Sequence, residues 1–174
     1  MIRYDSKRLL RNLNMVAQIG APAAAARAHE ELFAYWASLR SSGRLPCRAD
    51  IDPGSFKRHL PTISLIDVLS ETGDFRMRLA GTALYGVYGR EITGRSLSEI
   101  YGAAADYWRS ELAQVVRERR PSVGAHNLAW RGASHLSLLW LRLPLSSNGR
   151  DVDMIMGFDV VLGMGQVASG IKAA

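Results

Sequence analysis

The sequence predicts an α+β fold: an antiparallel sheet of five strands with helices packed on one side. Three observations predict it. Runs with strand character occur at 62–70, 75–80, 122–130, 135–146 and 151–162. Turn-forming residues connect them at 71–74, 131–133 and 148–149, which suits antiparallel neighbours. All the helical patterns of the core lie between the second and third strands, so the order is two strands, several helices, three strands.

In chain order, residues 1–22 read as an N-terminal extension. Leu9, Leu10, Leu13, Val16 and Ala17 fall at helical spacing beside Lys7, Arg8 and Arg11, and Gly20-Ala21-Pro22 closes the segment. The region 23–40 is an amphipathic helix with Ala28, Leu32, Tyr35, Trp36 and Leu39 on one stripe and Arg27 paired to Glu31. A connector follows, in which Asp52 before Pro53 is an N-cap for a short helix at 53–59. Arg48, Asp50 and Asp52 are expected to serve as local caps and ion pairs rather than as a metal or phosphate site.

Strand one, 62–70, is apolar on both faces and so is expected to be covered on both, with Asp67 answering a nearby arginine. Strand two alternates Phe75, Met77 and Leu79 with Arg76 and Arg78. Thr82 is expected to cap a helix carrying Ala83, Leu84, Val87 and Tyr88, which Gly89 ends. Gly94 marks the next turn, and Ser96 with Glu99 forms a capping box. A long helix at 103–120 places Ala104, Trp108, Leu112, Val115 and Arg119 on one stripe. Its basic last turn of Arg117, Arg119 and Arg120 complements the helix dipole before Pro121 stops it. In strand four, Leu139, Leu141, Leu143 and Leu145 share one face, and Leu136, Leu138 and Trp140 the other. One face supplies the core, and the helix at 23–40 or a second subunit covers the other. Asn148-Gly149 is a tight-turn signal. In strand five, Val152, Met154, Met156, Phe158 and Val160 share a face, and 164–174 is a tail rich in small residues.

The 174 residues suit one domain, 23–163, between the extension and the tail. No apolar run reaches the ~18 residues of a membrane span, and the N-terminus lacks the apolar stretch of a secretory signal. Cys47 is the single cysteine, which excludes an internal disulfide and points to the cytoplasm. The net charge of +6 is dispersed along the chain. It reads as a solvated surface rather than a nucleic-acid footprint, whose binding would be steeply salt-dependent.

The stretch 74–100 resembles the core of the PAS domain family of sensory and interaction modules. The matching residues are the strand 75–80, the helix ending at Gly89, and the run Glu91-Ile92-Thr93-Gly94-Arg95-Ser96-Leu97. Tyr35-Trp36, Leu45-Pro46, Arg48, Asp50-Ile51-Asp52-Pro53 and Leu60-Pro61 are similar to a short, stand-alone alphaproteobacterial branch of that family. The resemblance implies the strand order 2-1-5-4-3, a sensory role in signalling, and a flanking helix that takes part in homodimerisation through the outer sheet face. It also bears on cofactors. A covalently linked flavin needs a cysteine in the helical region after strand two, and haem is held in some relatives by a histidine there. Neither residue occurs between Leu79 and Pro121, so neither group is expected.

Enzymatic chemistry is not expected. His29, His59, His126 and His135 lack metal-ligand spacing, and neither a phosphate loop nor a nucleophile elbow is present. A pocket between helices and sheet is the candidate site. Phe75 and Met77 from strand two, Leu84, Tyr85 and Tyr88 from the first short helix and Trp108 from the long helix form one wall. His126, Trp130, Met154, Met156 and Phe158 from the later strands form the other. Aromatic and Met side chains with a few polar tips suit a small, mainly apolar ligand, and equally a filled core.

Overall fold

The computed structural model describes residues 23–163 apart from Ser42, Trp130 and Arg131. The expected N-terminal helix and C-terminal tail lie outside the described residues. Five strands, β1 (Ile63–Leu69), β2 (Asp74–Ala80), β3 (Ser122–Leu128), β4 (Ala133–Leu145) and β5 (Met154–Gly163), form one sheet in the order β2-β1-β5-β4-β3. Every neighbouring pair is antiparallel. This is the order that the resemblance implied.

Helix α1 (Ala23–Ser38) precedes the sheet, and α2 (Leu84–Tyr88), α3 (Leu97–Tyr101) and α4 (Ala105–Glu118) lie between β2 and β3. Glycine ends α2 as expected: Gly89 adopts a φ of 68°, and its N–H donates to the Tyr85 carbonyl. The capping box at α3 also forms, with the Glu99 carboxylate accepting from the Ser96 N–H at 2.8 Å. Thr82 does not cap α2. The chain there is held instead by the lead into β1, with Gly81 N–H donating to the Ile63 carbonyl at 2.7 Å and Ala83 N–H to the Pro61 carbonyl at 2.8 Å. The turn between α2 and α3 closes the outer edge of β2, because Met77 N–H donates to the Arg95 carbonyl at 2.9 Å and Gly94 N–H to the Met77 carbonyl at 2.6 Å. That edge is therefore blunted against further strand pairing.

The two faces of the sheet are covered by different helices. On the outer face, α1 buries His29, Leu32 and Trp36. The Trp36 indole N–H donates to the Pro144 carbonyl at 2.9 Å, and the His29 ring meets Phe158 edge-on at 5.0 Å. The chain's own helix thus supplies the cover that the sequence left open between this helix and a second subunit. On the inner face, α2–α4 bury Leu84, Tyr88, Leu97, Tyr101, Trp108 and Leu112.

Three local expectations change. Glu31 pairs with Arg58 and His59 rather than with Arg27, because the 3-10 helix Pro53–Thr62 packs beside α1. The Asn148-Gly149 pair lies in a wider loop: β4 and β5 separate after Leu145 and Met154, and the Asn148 side chain accepts from the N–H groups of Arg150 and Asp151 at 2.8 Å. Gly149 in turn ties this loop to the connector, its carbonyl accepting from Leu45 N–H at 3.1 Å. The helix expected at 53–59 is a 3-10 segment that runs on to Thr62. The carboxylates of Asp50 and Asp52 act as the local caps anticipated, accepting from Cys47 N–H and Gly54 N–H. Asp67 meets Arg78 at 3.5 Å.

Candidate functional site

Side chains alternate across a strand, so the register decides what faces α2–α4. One cross-strand row of the inner face is Ser64, Gly157 and Arg142; the next is Asp159, Trp140 and Gly124. Glycine at the middle of the first row lets Arg142 lie flat across the sheet. A Cβ at Gly157 would stand 2.3 Å from Ser64 Oγ and 3.1 Å from an Arg142 terminal nitrogen. Gly124 makes the same allowance for Trp140, whose ring a Cβ would approach to 2.6 Å.

Arg142 and Asp159 form an ion pair at 2.7 Å with side chains only 3% and 2% exposed. The same guanidinium nitrogen, Nη1, donates to the Leu141 carbonyl at 3.0 Å. Two indoles flank the cation, with the guanidinium carbon 5.6 Å from the ring centroid of Trp108 and 5.6 Å from that of Trp140. From the helix side, the hydroxyls of Tyr88 and Tyr101 lie 3.0 Å apart, and Tyr101 stacks on Trp108 at 5.0 Å. The sheet row and the ends of α2, α3 and α4 thus enclose one polar cluster inside an apolar seam.

Electrostatics follow from this enclosure. Burial pushes the Tyr101 phenol up to about 12 and raises Tyr88 well above the ordinary tyrosine range, so both stay protonated at neutral pH. Burial works against the charge on Arg142, but Asp159 together with Tyr101 and Tyr88 more than offsets it, and the guanidinium holds its proton more tightly than usual. On the outer face, burial lowers His29 below its ordinary value. No group of three His, Cys, Asp or Glu is placed to hold a metal among the described residues. No helix among them is long and apolar enough to cross a membrane.

A family model for the PAS domain matches residues 24–160. The chain belongs to the PAS domain family. Solved structures similar to this PAS domain include the PAS domain of BvgS from Bordetella pertussis, at 18% identity and a TM-score of 0.49, covering 70% of this chain and 95% of that one. A sensory box sensor histidine kinase from Vibrio cholerae aligns at 10% identity and a TM-score of 0.43, over 59% and 81% of the two chains. A fungal LOV domain photoreceptor aligns at 14% and 0.46, over 75% and 88%. No curated protein matches the chain.

Within this PAS domain the expected pocket residues divide. Phe75, Met77, Leu84, Tyr88 and Trp108 are buried at the seam. His126 sits half-buried at its rim, stacked on Tyr107 at 5.1 Å, and burial lowers its pKa. Tyr85 instead points outward and is 59% exposed. Met154, Met156 and Phe158 stand opposite Leu145, Leu143 and Leu141 and face α1 across the sheet, where Phe158 meets the rings of His29 and His59. They line the outer core and not the seam. Trp130 lies outside the described residues. The sequence reading missed Ser64, Tyr101, Trp140, Arg142 and Asp159. A signal was available for two of them. Arg142 is a single charge inside the apolar run 136–145 and Asp159 a single acid inside 154–162, so an internal pair of opposite sign follows once those strands are neighbours.

Proposed function

We propose that this PAS domain is a non-catalytic sensory or regulatory module of bacterial signalling. Its input is a small ligand in the seam between α2–α4 and the sheet. Its output passes to a protein partner or a second copy of the chain through the N-terminal helix and the outer face. The observation that carries this reading is the buried Arg142–Asp159 pair beneath short helices. A buried ion pair adds little stability over an apolar core of equal volume, so its presence there favours recognition. Helices as short as α2 have no stability of their own, and their placement depends on what the seam holds. Tyr88 and Tyr101 keep their protons and Arg142 its charge, which suits binding rather than proton transfer. A ligand signals through such a seam only if it binds two arrangements of the helices with different affinity. The matches at Leu45-Pro46, Asp52-Pro53 and Leu60-Pro61 support placing the chain in the alphaproteobacterial branch that it resembles.

Native mass spectrometry of the purified chain, with thermal shift against a metabolite set, tests the reading. We expect a bound or stabilising compound, and a set that yields none removes the sensory role. A second reading, an interaction or dimerisation module with a filled core, is favoured by the direct stacking of Tyr101 on Trp108. It predicts association without any ligand, measured as a concentration-dependent mass in solution.

A further inference from the structure

We infer that the seam takes a small organic monocarboxylate, held by Arg142 together with the indole and hydroxyl donors around it. The inference rests on the sensory reading above and names the chemistry of its ligand.

Buried donors in the seam outnumber the acceptors that reach them. Arg142 Nε, Trp108 Nε1, Trp140 Nε1 and Ser64 Oγ are buried and have no hydrogen-bond partner in this structure. The first three are donors only, and the serine hydroxyl donates as well. They belong to side chains gathered around one guanidinium, whose carbon lies 5.6 Å from each indole centroid and whose terminal nitrogen shares the space beside Gly157 with Ser64 Oγ. The acceptors at hand do not reach them, because Asp159 and the Leu141 carbonyl both engage Nη1 of Arg142. Buried donors left unpaired are costly, so the site calls for acceptors from outside the chain.

The kind of acceptor follows. A water molecule brings two donors of its own into a place already short of acceptors. A carboxylate brings acceptors alone, and its planar pair of oxygens matches the guanidinium edge that carries Nε. The one full positive charge is already shared with Asp159, which favours a single negative charge over a dianion. The Tyr101–Trp108 stack and buried Leu84 provide the apolar wall for a flat or aliphatic body.

Calorimetry and thermal shift on the purified chain, with acetate, butyrate and benzoate against benzamide and benzyl alcohol as neutral controls, test this. We expect a carboxylate to raise Tm by about 3–6 °C at roughly tenfold over its Kd, and to change tryptophan fluorescence. The neutral controls should do neither. Trp108→Phe and Ser64→Ala, which leave the ion pair in place, should each weaken binding by about tenfold. Arg142→Met with Asp159→Leu, which conserves volume, should abolish it. Stabilisation by the neutral compounds but not by the carboxylates would overturn the carboxylate and leave the sensory reading standing. Carboxylate binding that is unchanged in all three variants would place it elsewhere and overturn the inference. If neither class binds and native mass spectrometry finds no bound molecule, the sensory reading falls with it.

Discussion

Arg142 and Asp159 are each affordable only in the other's presence. Removing one strands a charge in a dry interior, which costs about 3–5 kcal/mol, whereas replacing both with apolar residues of similar volume is close to neutral. Urea unfolding should therefore show Arg142→Met strongly destabilised and the Arg142→Met/Asp159→Leu pair recovering most of the loss. His29 offers a second test. Its Nδ1–H donates to the Ala25 carbonyl at 2.9 Å, and burial holds its pKa below 6.5. Asp159 raises it, while Arg142 and His59 lower it further. The folded chain therefore keeps His29 neutral where the unfolded chain binds the proton. Stability is full above the ordinary histidine pKa and falls as pH drops through it. The urea midpoint should fall between about pH 7.5 and about pH 5.5, and His29→Leu should flatten that fall. A slope of the same sign remains from His126, which burial also lowers. At this scale the sequence marks a polar residue in an apolar run but not its partner, because partners here lie on different strands.

Elements were legible where their signals are local. The capping box at Ser96 and Glu99 and the left-handed Gly89 depend only on near neighbours, and each forms as read. The alternation of β2 holds at Phe75 and Met77, which are buried, but not at Leu79, which is 45% exposed where the pairing with β1 shifts register between Leu65 and Ile66. Thr82 failed as a cap because the backbone at Gly81 is pressed against the turn before β1, where a Cβ would lie 2.4 Å from the carbonyl oxygens of Leu60 and Pro61. No local pattern reports that approach. Helix α1 illustrates the same limit: its apolar stripe was plain, but its anchor is a hydrogen bond from Trp36 to Pro144, far along the chain. Trp36→Phe keeps the ring and leaves a buried carbonyl without its donor. We expect a loss of about 1–2 kcal/mol in urea unfolding, with earlier proteolytic cleavage in the connector after α1.

For the whole molecule, the pairing of β1 with β5 joins the N-terminal hairpin to the C-terminal strands. Neither half completes a covered sheet alone, since α1 reaches β4 and β5 while α2–α4 span both halves. The chain should unfold as one unit. Far-ultraviolet circular dichroism and tryptophan fluorescence should give coincident urea transitions, and separated midpoints would mean that α1 or the β1–β2 hairpin melts independently.

Hydrophobic period, turn residues and caps are properties of adjacent residues, and from them the sequence by itself determined the α+β class, the five strands and the helices between them. Which face of each strand looks into the seam was decided only by tertiary structure. Period two makes both faces of β5 self-consistent, and only the helices packed against the sheet choose between them. They chose the face carrying Gly157 and Asp159, and turned the Met154, Met156 and Phe158 face toward α1.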